Sequence, residues 1–509
     1  MSLIQTALHK HARQRPTAVA LCDSEVSISY GELPTVIAAV MDELNGMAPR
    51  VLGLHCDNRI GWALVDLAAL FAGMAIVPLP TFFSATQIAH VIRTSGIDCI
   101  VTDAPEQLQS LLSGCFEIDA TSVVPVYGKL WIYRLRAIST GANPLPAGTW
   151  KVTYTSGTTG TPKGVCLTGA ALERVAYSLC QASGASADDR YLSLLPLSTL
   201  LENIGGIYVP LLAGASTQLR PLASVGMNGA AGLDVARMLA ILSELDITAT
   251  ILVPQILQGM ITALECGMPV PGRLRYVAIG GAPVSLRMLT RAAQLGLPVY
   301  EGYGLSECAS VVSLNSAADN RAGSVGKPLP HVQIKFAADG EIMVSNGAFL
   351  GYLDAGPQAP VTDFFHTGDC GYQDSDGYLY LTGRKKNMFI TSFGRNVAPE
   401  WVERELIRPG VIVQAAVFGE GRPFNIAVIA ASGRPGSENH QAIDAAIAAA
   451  NRDLPDYARV GTWIQAQEPF SVENGMLTAN GRIRRDRILA SYAEQIHFIY
   501  GEQPHAVVF

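Results

Sequence analysis

The 509-residue sequence predicts an α/β fold, with a large N-terminal domain of several subdomains over residues 1–384 and a small α+β domain over residues 385–509. Three observations carry this. Single domains usually stop growing near ~250–300 residues, so a chain of this length divides. The first half alternates helical and extended patterns, as stacked layers of helix and sheet require. After Gly383-Arg384-Lys385-Lys386 the pattern restarts as a compact unit of helix, two strands and helix.

Composition limits what the chain does. Hydrophobic residues make up 49% and charged residues 16%, so the chain can bury a substantial core and is not disordered. A net charge of −7 offers nothing that steers the protein to nucleic acid. Nine cysteines, odd in number and with no C-x-x-C pair, indicate neither a disulfide framework nor a zinc site, and point to the reducing cytoplasm. The nine histidines never fall at metal-ligand spacing.

Taken in order, MSLIQTALHKHARQR is basic and acid-free like a transit peptide, yet Leu3, Ile4, Ala7, Leu8 and His11 have the spacing of a packed helix. Ser29 and Glu32 form a capping-box signature ahead of Val36, Ile37, Val40, Met41 and Leu44, predicting a helix of about four turns. The apolar stretch from Ile60 to Pro80 is interrupted by Asp66 and punctuated by Gly73 and Pro78. It falls short of the ~20 apolar residues of a membrane span and reads as a helix followed by a buried strand. Val51–Leu54, Ile76–Leu79, Cys99–Thr102, Tyr191–Leu195, Thr250–Val253 and Tyr276–Ile279 read as buried strands, several of them parallel in one sheet. Leu222–Leu233 reads as a Gly/Ala-rich loop. From about Gly323 the texture changes, and Val332–Phe336 and Glu341–Ser345 flank an Asp339-Gly340 turn, which predicts a hairpin. In the C-terminal unit a helix follows Pro399, strands lie at Val411–Phe418 and Ile426–Ala431, and a helix lies at Gln441–Asn451.

The segment richest in chemistry runs from Val152 to Val165, a strand leading into Thr155, Ser156, Gly157, Thr158, Thr159 and Gly160 and closed by Lys163. Glycines let backbone N–H groups turn toward an anion, hydroxyls add donors and lysine adds a point charge, so phosphate is the expected guest. It is not a Walker A loop, because Pro162 precedes the lysine and Gly164 follows it.

With this loop and four further blocks in the same order, the sequence resembles the adenylate-forming superfamily of acyl-CoA synthetases, luciferases and peptide-synthetase adenylation domains. The blocks are LRYVAIGGAP (Leu274–Pro283), YEGYGLSE (Tyr300–Glu307), HTGDCG (His366–Gly371) and GYLYLTGRKK (Gly377–Lys386). Each is a weak signal alone; five in order are specific. The resemblance implies nucleotide contacts at Thr155 to Gly160, Gly281, Ala282, Tyr303, Gly304 and Ser306. It also implies a ribose grip by Asp369 and Arg384, Mg²⁺ at Glu307, and an acyl pocket near Thr199, Gly280 and Tyr300. Lys386 takes the position where the family hinges a mobile small domain, and Gly394 lies in the segment that faces the site after rotation. ATP and Mg²⁺ are the implied cofactors. The implied partners are a small carboxylic acid and coenzyme A or a carrier-protein thiol.

The chemistry is consistent without the family. Joining a carboxylate to the α-phosphate of ATP brings anions together, so cations and donors must stand where charge builds up. One carboxylate plus nucleotide phosphates is the usual way to hold Mg²⁺, which suits Glu307.

Two departures qualify the likeness. In LLPLSTLLE (Leu194–Glu202), Thr199 stands where long-chain acyl-CoA synthetases carry histidine. In NGMLTANGRIRR (Asn474–Arg485), Arg482 stands at the position of the family's catalytic lysine, and no lysine follows Lys386. Arginine keeps the charge but replaces a compact ammonium with a planar fork, so the exchange is not automatically conservative. The reading is therefore ATP-dependent carboxylate activation followed by acyl transfer, most like a fatty-acid–CoA ligase, with Arg482, Lys163 and Glu307 as catalytic candidates. The alternatives are an acyl-AMP ligase loading a carrier protein, an amide synthetase with an amine acceptor, and a degenerate binder that senses nucleotide or acyl-adenylate.

Overall fold

All six short apolar runs form strands, but they divide between two sheets. The computed structural model describes residues 2–112, 117–125, 129–136, 145–155, 162–228, 232–345, 349–353, 363–407, 411–432, 437–478 and 481–501. Leu52–His55, Ile76–Pro78 and Cys99–Thr102 lie parallel in an eight-stranded sheet, beside the hairpin of Lys151–Thr155 and Lys163–Leu167. Arg190–Leu192, Ala249–Leu252 and Tyr276–Ile279 lie parallel in a nine-stranded sheet that continues to Val299–Tyr303. A run buried on both faces reads alike in either sheet, which is why its pattern predicts burial but not its neighbours.

The helices between the sheets explain the composition. Helix Ile60–Ala72 is buried at every position from Ile60 to Ala69, so apart from Asp66 it is apolar all round, as an interior helix must be. Its core joins residues of both sheets, among them Leu21, Leu52, Leu54, Ile76 and Tyr276. A second core packs the outer helices Val235–Glu244, Pro254–Glu265 and Leu286–Gln294 on the nine-stranded sheet. A third packs Ala85–Ser95 and Pro105–Leu112 on the other sheet. The layers run helix, sheet, helix, sheet, helix.

Local expectations translate with small shifts. Ser29 and Glu32 exchange the two capping-box bonds, Ser29 N–H to Glu32 Oε2 at 2.9 Å and Glu32 N–H to Ser29 Oγ at 3.3 Å, but the helix itself starts at Leu33. The first helix covers Leu3–Gln14 and buries Ile4, Leu8 and His11, leaving Leu3 exposed. The Leu222–Leu233 segment holds a 3₁₀ turn at Leu222–Val225 and two short strands. Ile334–Phe336 and Glu341–Ser345 pair antiparallel within a four-stranded sheet ending at Leu379–Arg384. Beyond it, helix Pro399–Leu406, strands Ile412–Phe418, Asn425–Ala431 and Val460–Gln465, and helix Ser437–Asp453 form a separate α+β core.

Asp66, which reads in the sequence as an interruption, is the centre of a buried network. Its side chain and that of Lys151 are 0% and 1% exposed, and Lys151 Nζ donates to Asp66 Oδ1 at 2.6 Å. Lys151 also donates to Asn203 Oδ1 and, at 3.1 Å, to the Tyr208 hydroxyl. Asn203 Nδ2 donates to Asp66 Oδ2 at 3.0 Å, and the Tyr208 hydroxyl donates to it as well. The ammonium lies 4.7 Å from the Trp150 ring centroid and 5.8 Å from that of Trp62. Burial lowers the lysine pKa, opposed by Asp66. Nearby, Glu202 is fully buried, its Oε1 accepts from the Tyr191 hydroxyl at 2.9 Å, and burial raises its pKa to about 8.

Denaturation measures what these groups contribute. Asp66→Ala strands the Lys151 charge and should cost ~3–5 kcal/mol in urea denaturation, whereas Asp66→Leu with Lys151→Met should recover most of it; a single variant of wild-type stability would dismiss the pair. A carboxyl whose folded pKa lies above its unfolded value contributes stability at low pH and loses it as pH rises toward about 8. Glu202→Gln should therefore flatten the fall of the urea midpoint between about pH 5 and pH 8. An unchanged slope would mean that Glu202 is ionised in the folded protein.

Candidate functional site

The strand Val299–Tyr303 ends in a loop that coils back on itself. Gly304 is required there, because a Cβ at this position would stand 1.6 Å from the Ser310 carbonyl oxygen. Ser306–Cys308 makes one 3₁₀ turn, and Ala309 and Ser310 follow with φ of +57° and +99°, values that cost a side-chain-bearing residue energy. The tight loop holds Glu307 at the junction of the sheets, where its Oε1 accepts from the Tyr352 hydroxyl at 2.6 Å.

Asp369 lies across from this loop. It is buried, directly opposite Arg384 in the antiparallel pair of Phe364–Gln373 with Leu379–Arg384. Arg384 Nε donates to Asp369 Oδ1 at 2.8 Å, and the Tyr303 hydroxyl donates to Oδ2 at 2.8 Å. Three candidates from three separate motifs thus form one hydrogen-bonded row. Each carboxylate oxygen retains acceptor capacity beyond these bonds, which suits ribose hydroxyls.

Arg482 comes from the C-terminal unit and crosses to the large one. Its Nη2 donates to the Gly281 carbonyl at 3.3 Å, in the turn where Gly281 has φ of +83°. The surrounding protein and then the charge of Arg384 push its pKa down, while Asp369 and Glu307 push it up. The guanidinium stays protonated across the physiological range. Lys386 feels burial and then Arg384, Lys163 and Arg482, all of which lower its pKa, and Asp369 opposes them. Among the described residues, four cations from three stretches of the chain, Lys163, Arg384 with Lys386, and Arg482, therefore lie within reach of one another, with Asp369 and Glu307 as the acidic groups that act on them. Such an excess of positive charge suits a polyanionic guest.

Lys163 is exposed at the end of its strand, paired in register with Thr155 across the hairpin, and its ammonium lies 5.8 Å from the Tyr352 ring centroid. Ser156, Gly157, Thr158, Thr159 and Gly160 lie outside the described residues. Ala282 is exposed beside Gly281, and Ser306 opens the 3₁₀ turn beside Glu307. At the other end, Tyr300 stacks on Tyr276 with centroids 4.9 Å apart, and Gly280 is buried so closely that a Cβ would stand 3.3 Å from the Gly302 carbonyl oxygen. Thr199 spends its hydroxyl locally, donating to the Pro196 carbonyl at 2.7 Å at the start of the short helix Leu200–Asn203. Asn58 clamps the same turn, donating to the Leu195 carbonyl at 2.7 Å and accepting from Leu197 N–H at 2.9 Å.

Sequence reasoning missed Tyr352, Lys151 and Asp66. Tyr352 sits in a strand that pairs with Lys163–Leu167 from far along the chain, and an isolated Gly-Tyr gives no sign of that partner. Asp66 carried a signal only as a charge inside an apolar run, and Lys151 stands just ahead of the Val152–Val165 segment with no local sign of its partner. Among the described residues no cluster of three or more His, Cys, Asp or Glu is placed to hold a metal, and no helix is long and apolar enough to cross a membrane.

Comparison with known proteins finds relatives along most of the chain. The AMP-binding enzyme family matches residues 8–352, and the AMP-binding enzyme C-terminal domain matches residues 386–504. The chain is 27% identical to a long-chain-fatty-acid–CoA ligase of Mycobacterium bovis, over 88% of this chain and 87% of that protein. It is 31% identical to the indoleacetate–CoA ligase of Aromatoleum aromaticum, over 81% of this chain and 84% of that protein. Among solved structures it shares its fold with the anthranilate–CoA ligase AuaEII in complex with anthranoyl-AMP, at a TM-score of 0.78, 18% identity and coverage of 96% and 97%. The amide bond synthetase of Marinactinospora thermotolerans shares it too, at a TM-score of 0.75, 20% identity and coverage of 96% and 99%. The chain belongs to the AMP-binding enzyme family of adenylate-forming, acyl-CoA synthetase-like proteins.

Proposed function

We propose that the chain activates a carboxylic acid with ATP and transfers the acyl group to a thiol, with coenzyme A as the acceptor. The observation that carries this is Arg482 reaching the Gly281 carbonyl, next to the row Tyr303–Asp369–Arg384 and the Glu307 carboxylate. In the first step a substrate carboxylate oxygen bonds to the α-phosphorus and the bond to the bridging β-oxygen breaks, releasing pyrophosphate. In the second the acceptor thiol gives up its proton to solvent, its sulfur bonds to the acyl carbon, and AMP leaves with the electrons of the broken acyl–phosphate bond.

Arg482 would stand between the attacking carboxylate and the α-phosphate and neutralise the charge that gathers as they meet. Lys163 would face the β- and γ-phosphates beside the loop of Thr155 to Gly160. Asp369 would accept from the ribose hydroxyls, held in place by Tyr303 and Arg384. Glu307 fits a hard cation: it is a half-buried carboxylate, oriented through one oxygen by Tyr352, and Mg²⁺ bound there would tie the phosphates to it and offset their charge. Swinging the small domain away after adenylation would exchange Arg482 for the segment around Gly394 and keep water from the anhydride.

The relatives act on a long-chain fatty acid and on indoleacetate, both carrying an apolar body, and the stacked Tyr276 and Tyr300 would suit such a body. Each buried CH₂ contributes about 0.8 kcal/mol, so discrimination by chain length is graded. A thiol acceptor and unpaired cysteines both suit the reducing cytoplasm. A second reading rests on Arg482 itself: a family member that kept the pocket and lost the chemistry would bind nucleotide or acyl-adenylate as a sensor.

Two measurements test these roles. Arg482→Ala should slow pyrophosphate release with an acid panel by ~10²–10³ and spare transfer from supplied acyl-adenylate, while Arg482→Lys should keep or raise the rate. Equal activity of wild type and Arg482→Ala would remove the catalytic role, and a silent wild type woken by Arg482→Lys would establish the sensor. Glu307→Gln should move the magnesium titration of pyrophosphate release to higher concentration. An unshifted titration would leave Glu307 as a loop residue.

A further inference from the structure

The inner face of the nine-stranded sheet carries a row of residues whose size grows away from the Gly281 turn. On strand Tyr276–Ile279, Val277 and Ile279 belong to the outer core, whereas Tyr276 belongs to the core between the sheets. The twofold alternation of a strand puts Ala278 and then Gly280 on the side of Tyr276. Strand Val299–Tyr303 repeats the pattern, with Tyr300 beside Ala278 in register and Gly302 two residues further on. Toward Gly281, where Arg482 arrives, the row therefore ends in two glycines, and at its far end stand two tyrosines. Ala278 has a paired strand on each side and faces the middle of the large unit, yet Ala278, Tyr300 and Gly302 are only partly buried. A central strand covered on both faces is ordinarily closed to water, so open space lies against this row.

The far end is rigid. Tyr276 is 6% exposed, and its ring and that of Tyr300 lie 16° from parallel with centroids 4.9 Å apart. Just before Tyr276, Arg275 Nε donates to Asp189 Oδ1 at 2.6 Å, and its terminal nitrogens donate to the Ser183 and Gly184 carbonyls, both at 3.1 Å. Thr248 Oγ1 donates to the same Asp189 oxygen at 2.7 Å. We infer that Tyr300, backed by Tyr276, is the floor of the acyl slot, and that the acid this chain activates is a compact one built on a flat ring. The inference rests on the reading of the chain as an acid-activating enzyme and narrows its substrate. From Gly302 to Tyr300 is two residues of strand, ~7 Å. A membrane-lipid acyl chain runs about half of a ~30 Å hydrocarbon core, twice that depth. Down to the floor each methylene adds affinity; past it, the next one has to displace a packed tyrosine. Gly280 and Gly302 leave bare backbone against which a ring can lie, and Tyr300 offers that ring an aromatic partner. Tyr300 is thus a specificity-determining residue that meets the body of the acid and not its reacting atoms.

Acyl-sulfamoyl-adenosines, unreactive mimics of an acyl-adenylate, report the slot without turnover. In titration calorimetry the wild type should bind the benzoyl analogue about tenfold or more tightly than the dodecanoyl one. A straight-chain series from acetyl to dodecanoyl should tighten at first and then weaken abruptly. Tyr300→Ala should open the floor and invert the benzoyl–dodecanoyl order, and Tyr300→Phe, which keeps the ring, should preserve it. Dodecanoyl binding as tight as benzoyl in the wild type, a series without a break, or no binding of either analogue would each overturn the inference. So would an unchanged ratio in a folded Tyr300→Ala; the wild-type measurements stand whether or not that variant folds. The reaction is read separately, as pyrophosphate release with benzoate and with dodecanoate. A benzoyl preference in a wild type that releases no pyrophosphate would support the slot and overturn the proposed reaction, whereas faster release with dodecanoate would keep the reaction and overturn the slot.

Discussion

The ion pair of Lys151 with Asp66 ties together the parts of the large domain that have to meet. Lys151 opens the strand that leads to Thr155 and the phosphate loop, Asp66 lies on the helix sandwiched between the two sheets, and Asn203 and Tyr208 flank the irregular turn after the Thr199 block. Water has no access to any of them, so each charge and donor needs the others. Bringing an unpaired ammonium or carboxylate to this depth costs several kcal/mol, which makes arrangements lacking the partner far less stable than the observed one. The network gains little over a well-packed apolar core of the same volume, yet it admits one relative placement of strand and helix. Trp62 and Trp150 contribute their ring faces to the same ammonium.

From that frame the site is built at an edge shared by three sheets. The Gly304–Ser310 loop, the pair Asp369–Arg384 and the hairpin closed by Lys163 each come from a different sheet, and Tyr303 and Tyr352 provide the hydroxyls that join them. Tyrosine suits this work, since its ring packs in the core and its hydroxyl reaches a polar partner. Arg482 arrives last, from a unit with its own core, through one hydrogen bond to a backbone carbonyl. A contact that light can be made and broken during a cycle, which a buried ion pair could not. The Arg482 guanidinium suits such a contact, because it presents several donors over a long reach.

The fold was legible wherever local pattern and burial agree. Cys99–Thr102 and Tyr276–Ile279 are strands with the bounds their apolar runs predict, and Pro399 opens a helix as its fixed φ predisposes it to. The motifs single out the candidate residues of the site, because glycines, hydroxyls and charges crowded into short loops have few structural uses. Partnership was not legible. Asp66 reads in the sequence only as an interruption of an apolar stretch, and nothing local marks Lys151 or Tyr352.

The sequence by itself determined the α/β class, many of the elements in their order and the candidate residues, since these are written in local pattern and motif along one chain, and its five blocks carried the resemblance to the family. Only the tertiary structure decided that the apolar strands form two sheets, that Asp66 belongs to Lys151, and that Asp369 is held by both Tyr303 and Arg384. The physical reason is the same in each case. Backbone periodicity is set by neighbours three or four residues away, whereas the pairing of a buried charge or of a strand edge depends on which distant segment reaches it when the layers close.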